Sequence, residues 1–376
     1  VWNFFCPKVI FGEEALSFLA ELGGKRALIL TDQNLVKLGL VEKVKKFLQI
    51  ETLIFDQIEA EPSYLTADQA KELILQKDCD LIVGLGGGSV LDVAKTARIL
   101  AENPELEIEE ITPLSPIQVK KRKLILIPTT TGSGSEVTTA IVLKNKEGRK
   151  TPTINSAALA DFAILDPSLI ENLPPGLVAQ TGIDALCHSI DAFLSEWKND
   201  FSDGLAIFSL KLIFENLISA YQGKKEAKKK MQYGATLAGL AFGNSQAGLS
   251  HTLGHSLGAV FNLPHGRACG ICLPYSLQFL IKNREVEKLL KDLIFYLKID
   301  SLEEFLEKIF DLLSSLSLPS CLREEKISAQ KFNQNLEKLV EFASLDGTIL
   351  TIKRVPDGAE LEKIFKYLYW GKEIDF

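Results

Sequence analysis

Four histidines occur in 376 residues, and three of them fall in one stretch, Leu249 to Gly270 (LSHTLGHSLGAVFNLPHGRACG). The fourth, His188, ends the run Gly182-Ile183-Asp184-Ala185-Leu186-Cys187-His188. Asp184 and His188 are four apart, as are His251 and His255, so on helices each pair leaves a single face. His265, between Pro264 and Gly266, reads as a turn position. One carboxylate with several imidazoles suits a divalent ion such as Fe²⁺ or Zn²⁺. With no set of thiolates nearby, the pattern fits a catalytic rather than a structural centre. A lone histidine is commonly a packed or capping residue; it is the clustering that argues for a shared metal. Spacing leaves open which of His255 and His265 is a ligand.

Other stretches carry a different chemistry. Gly84-Leu85-Gly86-Gly87-Gly88-Ser89 follows a β-rich run and precedes a helical pattern from Val90 to Ala101. Glycines there let amide N–H groups approach a pyrophosphate at a helix N-terminus, where the dipole favours an anion. Ser89 departs from the strict GxGxxG pattern, and Asp92 and Lys95 lie on the first helical turns. Thr129 to Glu136 (TTTGSGSE) forms a second loop whose hydroxyls can bond a ribose or an adenine. It lacks the Gly-Lys-Ser/Thr of a P-loop, so nucleotide hydrolysis is not supported. Asp32, ending an earlier β-rich run, can accept from a ribose 2′-hydroxyl and repel a 2′-phosphate, which favours NAD over NADP. Capping a helix is its other reading.

Runs at Arg26–Thr31, Thr52–Phe55, Asp80–Gly84 and Lys123–Pro128 read as buried strands, with helices over Asn34–Leu48 and Thr66–Gln76 between them. This alternation predicts a parallel sheet covered on both faces, with ligands at the carboxyl ends of its strands. Thr139–Lys144 and Ala160–Leu165 are expected as further strands around a turn at Lys146 to Lys150. Beyond residue 167 the pattern is helical nearly to the end. The expected organisation is an α/β nucleotide-binding domain over 1–167 and an all-α metal-binding domain over 168–376, with the cleft between them as the default site.

Hydrophobic residues at 46%, charged ones at 24% and a net charge of −7 describe a soluble globular protein and argue against broad nucleic-acid binding. The basic cluster at Lys224 to Lys230 reads as a solvated helix start. No unbroken apolar run reaches the roughly 20 residues that span a bilayer, and no secretory signal opens the chain. Six scattered cysteines do not form a disulfide framework, which places the protein in a reducing cytoplasm. Cys269 and Cys272 share a CxxC spacing but read as structural.

Taken together, GLGGGSVLDVAK (Gly84 to Lys95), PTTTGSGSEVT (Pro128 to Thr138), GIDALCHSID (Gly182 to Asp191) and HTLGHSLGAVFNLPHG (His251 to Gly266) resemble the iron-containing, or group III, alcohol dehydrogenases. The resemblance runs from the first strand to at least Pro274. It implies a Rossmann-like α/β dinucleotide-binding domain followed by an all-α domain, and a homodimer acting on a small alcohol or aldehyde. By position it puts the metal ligands on Asp184, His188, His251 and His265. It leaves His255 unligated near the nicotinamide, as a proton relay to solvent. The pyrophosphate loop falls on Gly86, Gly87, Gly88 and Ser89, with Asp92 nearby. Contacts to adenosine and ribose fall on Thr129, Thr130, Ser133 and Thr138, and the cofactor-contacting lysine on Lys150. Asp32 matches a position that tends to be acidic in NAD-preferring members.

Some residues depart from the family. Ser133 stands where threonine is commoner, Glu61-Pro62-Ser63-Tyr64 replaces Pro-Asn-Pro, and Ile352-Lys353-Arg354 replaces Asn-Pro-Arg. None of these departures removes a metal ligand. Leu253, Leu257, Val260 and Phe261 suit a short-chain substrate or the core. A zinc glycerol dehydrogenase, with three ligands, is the nearest competitor; retention of His188 speaks against it. Maleylacetate reductases often lack the metal set that is complete here. A dehydroquinate-synthase-like lyase would need a pocket rich in lysine and arginine, and the metal segments offer only Arg267. A nucleotide-binding scaffold without activity is the remaining reading.

Overall fold

The computed structural model describes residues 3–148 and 150–376, with Thr151 described by its backbone alone. Arg149, in the expected turn, lies outside the described residues. The chain forms two compact units, one ending at Asn172 and the other beginning at Leu173.

The first unit runs β1 (Lys8–Phe11), β2 (Arg26–Leu30), α1 (Gln33–Lys37), α2 (Leu40–Lys45), β3 (Glu51–Phe55), α3 (Tyr64–Gln76), β4 (Leu81–Gly86), α4 (Gly88–Glu102), β5 (Lys123–Pro128), β6 (Ala140–Lys144), β7 (Lys150–Ile154) and β8 (Phe162–Leu165). Six strands form a parallel sheet in the order β1-β8-β5-β4-β2-β3. Leu28, Ile29, Leu30, Ile82, Val83 and Ile125 are fully buried, as strands covered on both faces require. From β2 the chain crosses outward to β3, and from β4 it crosses the other way to β5. The switch point therefore lies between β2 and β4, where open sheets bind ligands. The Asp32, glycine-rich and threonine-rich segments follow β2, β4 and β5, which are neighbours.

Three expectations are corrected. The helix expected over 34–48 is two short ones, broken where Gly39 takes φ 72° in the left-handed region. Strand β4 continues past Gly84, pairing Gly86 with Pro128, and α4 begins at Gly88, so the turn is confined to Gly87. Residues 139–144 and 160–165 are not neighbours in one sheet: β6 pairs antiparallel with β7, an unanticipated strand, as a separate ribbon. Edge strand β1 was also not anticipated.

The second unit is helical: α5 (Pro175–Leu194), α6 (Asp200–Tyr221), α7 (Lys225–Gly243), α8 (Leu249–Phe261), α9 (His265–Leu280), α10 (Arg284–Leu297), α11 (Leu302–Ser315), α12 (Ala329–Ser344) and α13 (Gly358–Trp370). By length and composition α6 could cross a membrane, which the absence of an unbroken apolar run did not suggest. Here Leu210, Ile213 and Leu217 on α6 are fully buried. The Ser209 hydroxyl, 2.8 Å from Ser189 on α5, donates to the Gly234 carbonyl on α7 at 2.7 Å, locking α6 against both. Leu253 and Leu257 are fully buried in the same core, which resolves their ambiguity toward packing.

Candidate metal centre and nucleotide-binding loops

Helix α5 presents Asp184, His188 and Asp191 along one face, and α8 presents His251. His265 is the first residue of α9. What lets these helices approach is the absence of side chains at two glycines. A Cβ on Gly266 would lie 2.2 Å from the Gln180 carbonyl oxygen on α5, and one on Gly254 would lie 2.6 Å from Cys269 Sγ on α9. The donor atoms of Asp184, His188, His251 and His265 consequently lie within 4.8 Å of one another. Asp184 Oδ1 is 3.3 Å from His265 Nε2 and 3.8 Å from His251 Nε2. Bonds of about 2.1 Å around one tetrahedral ion would separate its donors by about 3.4 Å. Asp184 Oδ1 and His251 Nε2 are buried and have no hydrogen-bond partner among the described residues. Uncompensated burial of such groups is costly, so the donor set fits a divalent cation. Side-chain exposure is 38% at His265 and 7% or less at the other three, so the cluster meets solvent on the His265 side.

Burial pushes the Asp184 carboxyl up to about 6, against the pull of His251 and His255. Burial would lower His251, but the hydrogen bond and charge of Asp191 outweigh it, so the imidazole is raised. His251 Nδ1 lies 2.7 Å from Asp191 Oδ2, which also accepts from the Gly248 amide at 2.9 Å and the Ser250 hydroxyl at 2.7 Å. Neither Asp191 nor Asp346, the partner of His255 at 2.7 Å, was picked out from the sequence. Asp191 carries a signal, lying seven residues after Asp184 and three after His188 on one helical face. Asp346 lies 91 residues from His255, and no spacing connects them. Burial raises the thiols of Cys187, Cys269 and Cys272 well above their usual range, and all three are free, so they act as small apolar side chains.

In the first unit, Gly87 caps α4 without a side-chain hydrogen bond, its carbonyl accepting from the amides of Val90 (3.0 Å) and Leu91 (3.2 Å). The two loops expected to bind nucleotide are in contact: a Cβ on Gly87 would lie 3.3 Å from Thr130, and one on Gly88 3.0 Å from Ser133. The Ser89 hydroxyl donates to the Ala60 carbonyl at 2.6 Å. Thr129 and Thr138 are buried. Asp32 caps α1, accepting from the amides of Asn34 (2.7 Å) and Leu35 (3.1 Å), both on Oδ1. Lys150, on β7, is 2.8 Å from Glu61.

Asp92 faces inward. Its Oδ1 accepts from the Ser135 hydroxyl (2.6 Å) and from Lys95 Nζ (3.2 Å), while Oδ2 accepts from the Val142 amide at 3.0 Å. The fully buried Lys95 ammonium also lies 2.7 Å from Ser135 Oγ, 3.3 Å from Thr138 Oγ1 and 2.8 Å from the Ala140 carbonyl. Burial lowers the Lys95 pKa while Asp92 opposes the shift. This pair ties α4 to the threonine-rich loop and to β6, a role for Lys95 that its sequence position did not reveal.

A parallel sheet with glycine- and hydroxyl-rich loops at its switch point, and a helical unit bearing a buried Asp/His₃ cluster, define a metal- and dinucleotide-dependent oxidoreductase. Residues 6–167 match the family model described as iron-containing alcohol dehydrogenase, and residues 178–369 match that of the Fe-containing alcohol dehydrogenase C-terminal domain. The chain is 34% identical to an NADPH-dependent butanol dehydrogenase of Clostridium saccharobutylicum, over 100% of both chains. It is 32% identical to an alcohol dehydrogenase of Thermococcus barophilus, covering 96% of this chain and 98% of the relative. The solved iron-containing alcohol dehydrogenase of Thermococcus thioreducens superposes with a TM-score of 0.92 at 29% identity, covering 99% of this chain and 100% of that one. The chain belongs to the iron-containing alcohol dehydrogenase family, and it is a metal-dependent, NAD(P)-linked oxidoreductase acting on alcohols.

Proposed function

We propose that the protein interconverts a small alcohol and its aldehyde, with Asp184, His188, His251 and His265 holding one divalent ion. The convergence of four donor atoms, two of them buried without other partners, carries this reading. When bound, the ion polarises the substrate oxygen as a Lewis acid. Fe²⁺ follows from the family, and Zn²⁺ suits the same donors. Asp184 offsets one of the ion's charges, and Asp191 directs His251 Nε2 toward the cluster by holding Nδ1. When bound, a nicotinamide would supply the hydride acceptor for alcohol oxidation. The hydroxyl proton goes to His255, which releases it to water.

The first unit is the nucleotide-binding domain in this reading, and the second is the metal-binding domain. Gly86, Gly87, Gly88 and Ser89 take the pyrophosphate at the α4 N-terminus. Thr129, Thr130, Ser133 and Thr138 line the adenosine and ribose, and Lys150 leaves Glu61 to contact the cofactor. Asp92 acts on this site through Ser135 and Lys95. Asp32 favours NAD, although the Clostridium relative is named as NADPH-dependent. That relative's butanol supports a short-chain substrate here. The six free cysteines suit a reducing cytoplasm, and a homodimer follows the family resemblance.

Metal analysis of anaerobically purified protein, followed by NADH and NADPH oxidation against a panel of aldehydes and ketones, tests this. One ion per chain and NADH-dependent reduction of short aldehydes are expected. Turnover in protein free of metal would refute the assignment.

A further inference from the structure

Asp346 begins the short segment Gly347–Thr351, and both its oxygens are engaged. Oδ1 accepts from the Thr348 amide at 2.9 Å and from the Thr348 hydroxyl at 2.6 Å. That is the ordinary behaviour of a capping residue and accounts for one oxygen. The other, Oδ2, lies 2.7 Å from His255 Nδ1. The segment is fastened to α8, the helix that carries His255, at two further points. The Thr348 and Thr252 hydroxyls are 2.7 Å apart, and the Thr351 hydroxyl donates to the Ala247 carbonyl at 2.9 Å, just ahead of α8.

The directions of these bonds follow from donor counting. An ionised carboxylate only accepts, so Thr348 gives its proton to Asp346, and the Thr252 proton goes to Thr348 at 2.7 Å in preference to the Gly248 carbonyl at 3.2 Å. By the same rule His255 Nδ1 carries the proton shared with Asp346. In a neutral imidazole Nε2 is then the acceptor. The ring is held in one plane, stacked on His265 at 5.3 Å and 21° and edge-on to His251 at 5.9 Å. The His255 side chain is 27% exposed and that of Asp346 10%, so the pair is shielded on the Asp346 side and open on the other.

We infer that Asp346 is the positioning residue for His255: it keeps the imidazole proton on Nδ1 and fixes the ring plane, so that Nε2 is the nitrogen that accepts the substrate hydroxyl proton. The last clause rests on the function proposed above; the tautomer does not. Segment 346–351 thereby takes part in the site although the residues after it depart from the family pattern.

The test is nitrogen NMR of the full chain, ¹⁵N-labelled at histidine and loaded with diamagnetic zinc, with His255 assigned by comparison with His255→Gln. The wild type should show a protonated Nδ1 and an unprotonated Nε2 at His255. In Asp346→Asn, whose amide can donate to Nδ1, the proton should move to Nε2. kcat for alcohol oxidation should then fall by about 10²-fold or more, as for loss of a general base, with KM for the nucleotide unchanged. Asp346→Glu restores the carboxylate and should recover the wild-type tautomer with part of kcat. A proton on Nε2 in the wild type, or a tautomer unmoved in Asp346→Asn, overturns the inference. Should Asp346→Asn fail to fold, the wild-type and Asp346→Glu spectra decide. A wild type with the expected tautomer but no alcohol oxidation under any metal would refute the proposed function and leave this pairing standing.

Discussion

His251 Nδ1 lies 2.7 Å from Asp191 Oδ2, so the imidazole that reaches the cluster through Nε2 is held from behind by a buried carboxylate. The same oxygen takes the Gly248 amide and the Ser250 hydroxyl, fixing the start of α8 to α5. Partners of this kind set the tautomer of a ligating histidine and raise its basicity. Asp191→Asn should therefore weaken metal binding about 10–100-fold while all four ligands remain. Chelator competition on the purified variant measures this, and an unchanged affinity would reduce Asp191 to a structural group.

The metal-free protein should become less stable as pH rises from about 4 to about 6. Burial pushes Asp184 up to about 6, whereas a carboxyl in the unfolded chain titrates at about 3.9. Between those values the native state holds a proton that the unfolded chain has released, so stability falls with rising pH, by up to roughly 3 kcal/mol. Asp184→Asn should remove this slope, and added metal should restore stability at the upper end. Urea unfolding of chelator-stripped protein across that pH range reads both effects.

Lys95→Met should destabilise the first unit by about 3–5 kcal/mol, because Asp92 is left buried without its cation. It should also weaken NADH binding, since Ser135 and Thr138 lose their anchor, while metal content stays that of the wild type. Combining it with Asp92→Leu should recover much of the stability but not the nucleotide affinity. Denaturant titration and NADH fluorescence separate these outcomes.

Gly266→Ala places a methyl where the Gln180 carbonyl oxygen would be 2.2 Å away. Overpacking of this sort costs about 1–3 kcal/mol, and here it also moves His265 off α5. The variant should fold with a lowered thermal midpoint and bind markedly less metal. Metal-to-protein ratios after dialysis give the answer, and full loading would show that α9 can shift without cost.

Asp32→Ser should raise kcat/KM with NADPH by roughly tenfold or more, the scale of one like-charge contact removed near a surface. Helix α1 keeps a capping hydroxyl in this variant. Steady-state rates with both nucleotides measure the change, and an unaltered preference would confine Asp32 to the capping role seen here.

Strand–helix alternation made the sheet legible, because buried parallel strands such as Leu28–Leu30 and Ile125–Ile127 must be continuously apolar. The short edge strand β1 and the ribbon strand β7 gave no such signal. Pro152 in β7 suits only an edge, and Val142 opposite it gives its amide to Asp92 instead. The Gly39 break was hidden because apolar spacing runs on through it. At the metal centre, helical spacing made Asp184, His188 and His251 visible together. Separating His255 from His265 needed the family resemblance. Asp346 and Lys95 were not legible because their partners, His255 in one case and Ser135, Thr138 and Ala140 in the other, come near only through tertiary packing.

The central claim is that one ion held by Asp184, His188, His251 and His265 is required for turnover. Stepwise return of Fe²⁺ or Zn²⁺ to chelator-stripped protein, with aldehyde-dependent NADH oxidation followed at each step, tests it most directly. The account predicts no activity in stripped protein, a linear rise that saturates at one ion per chain, and neither binding nor activity in His251→Ala. Undiminished activity after stripping, or stoichiometric binding retained by His251→Ala, would contradict it.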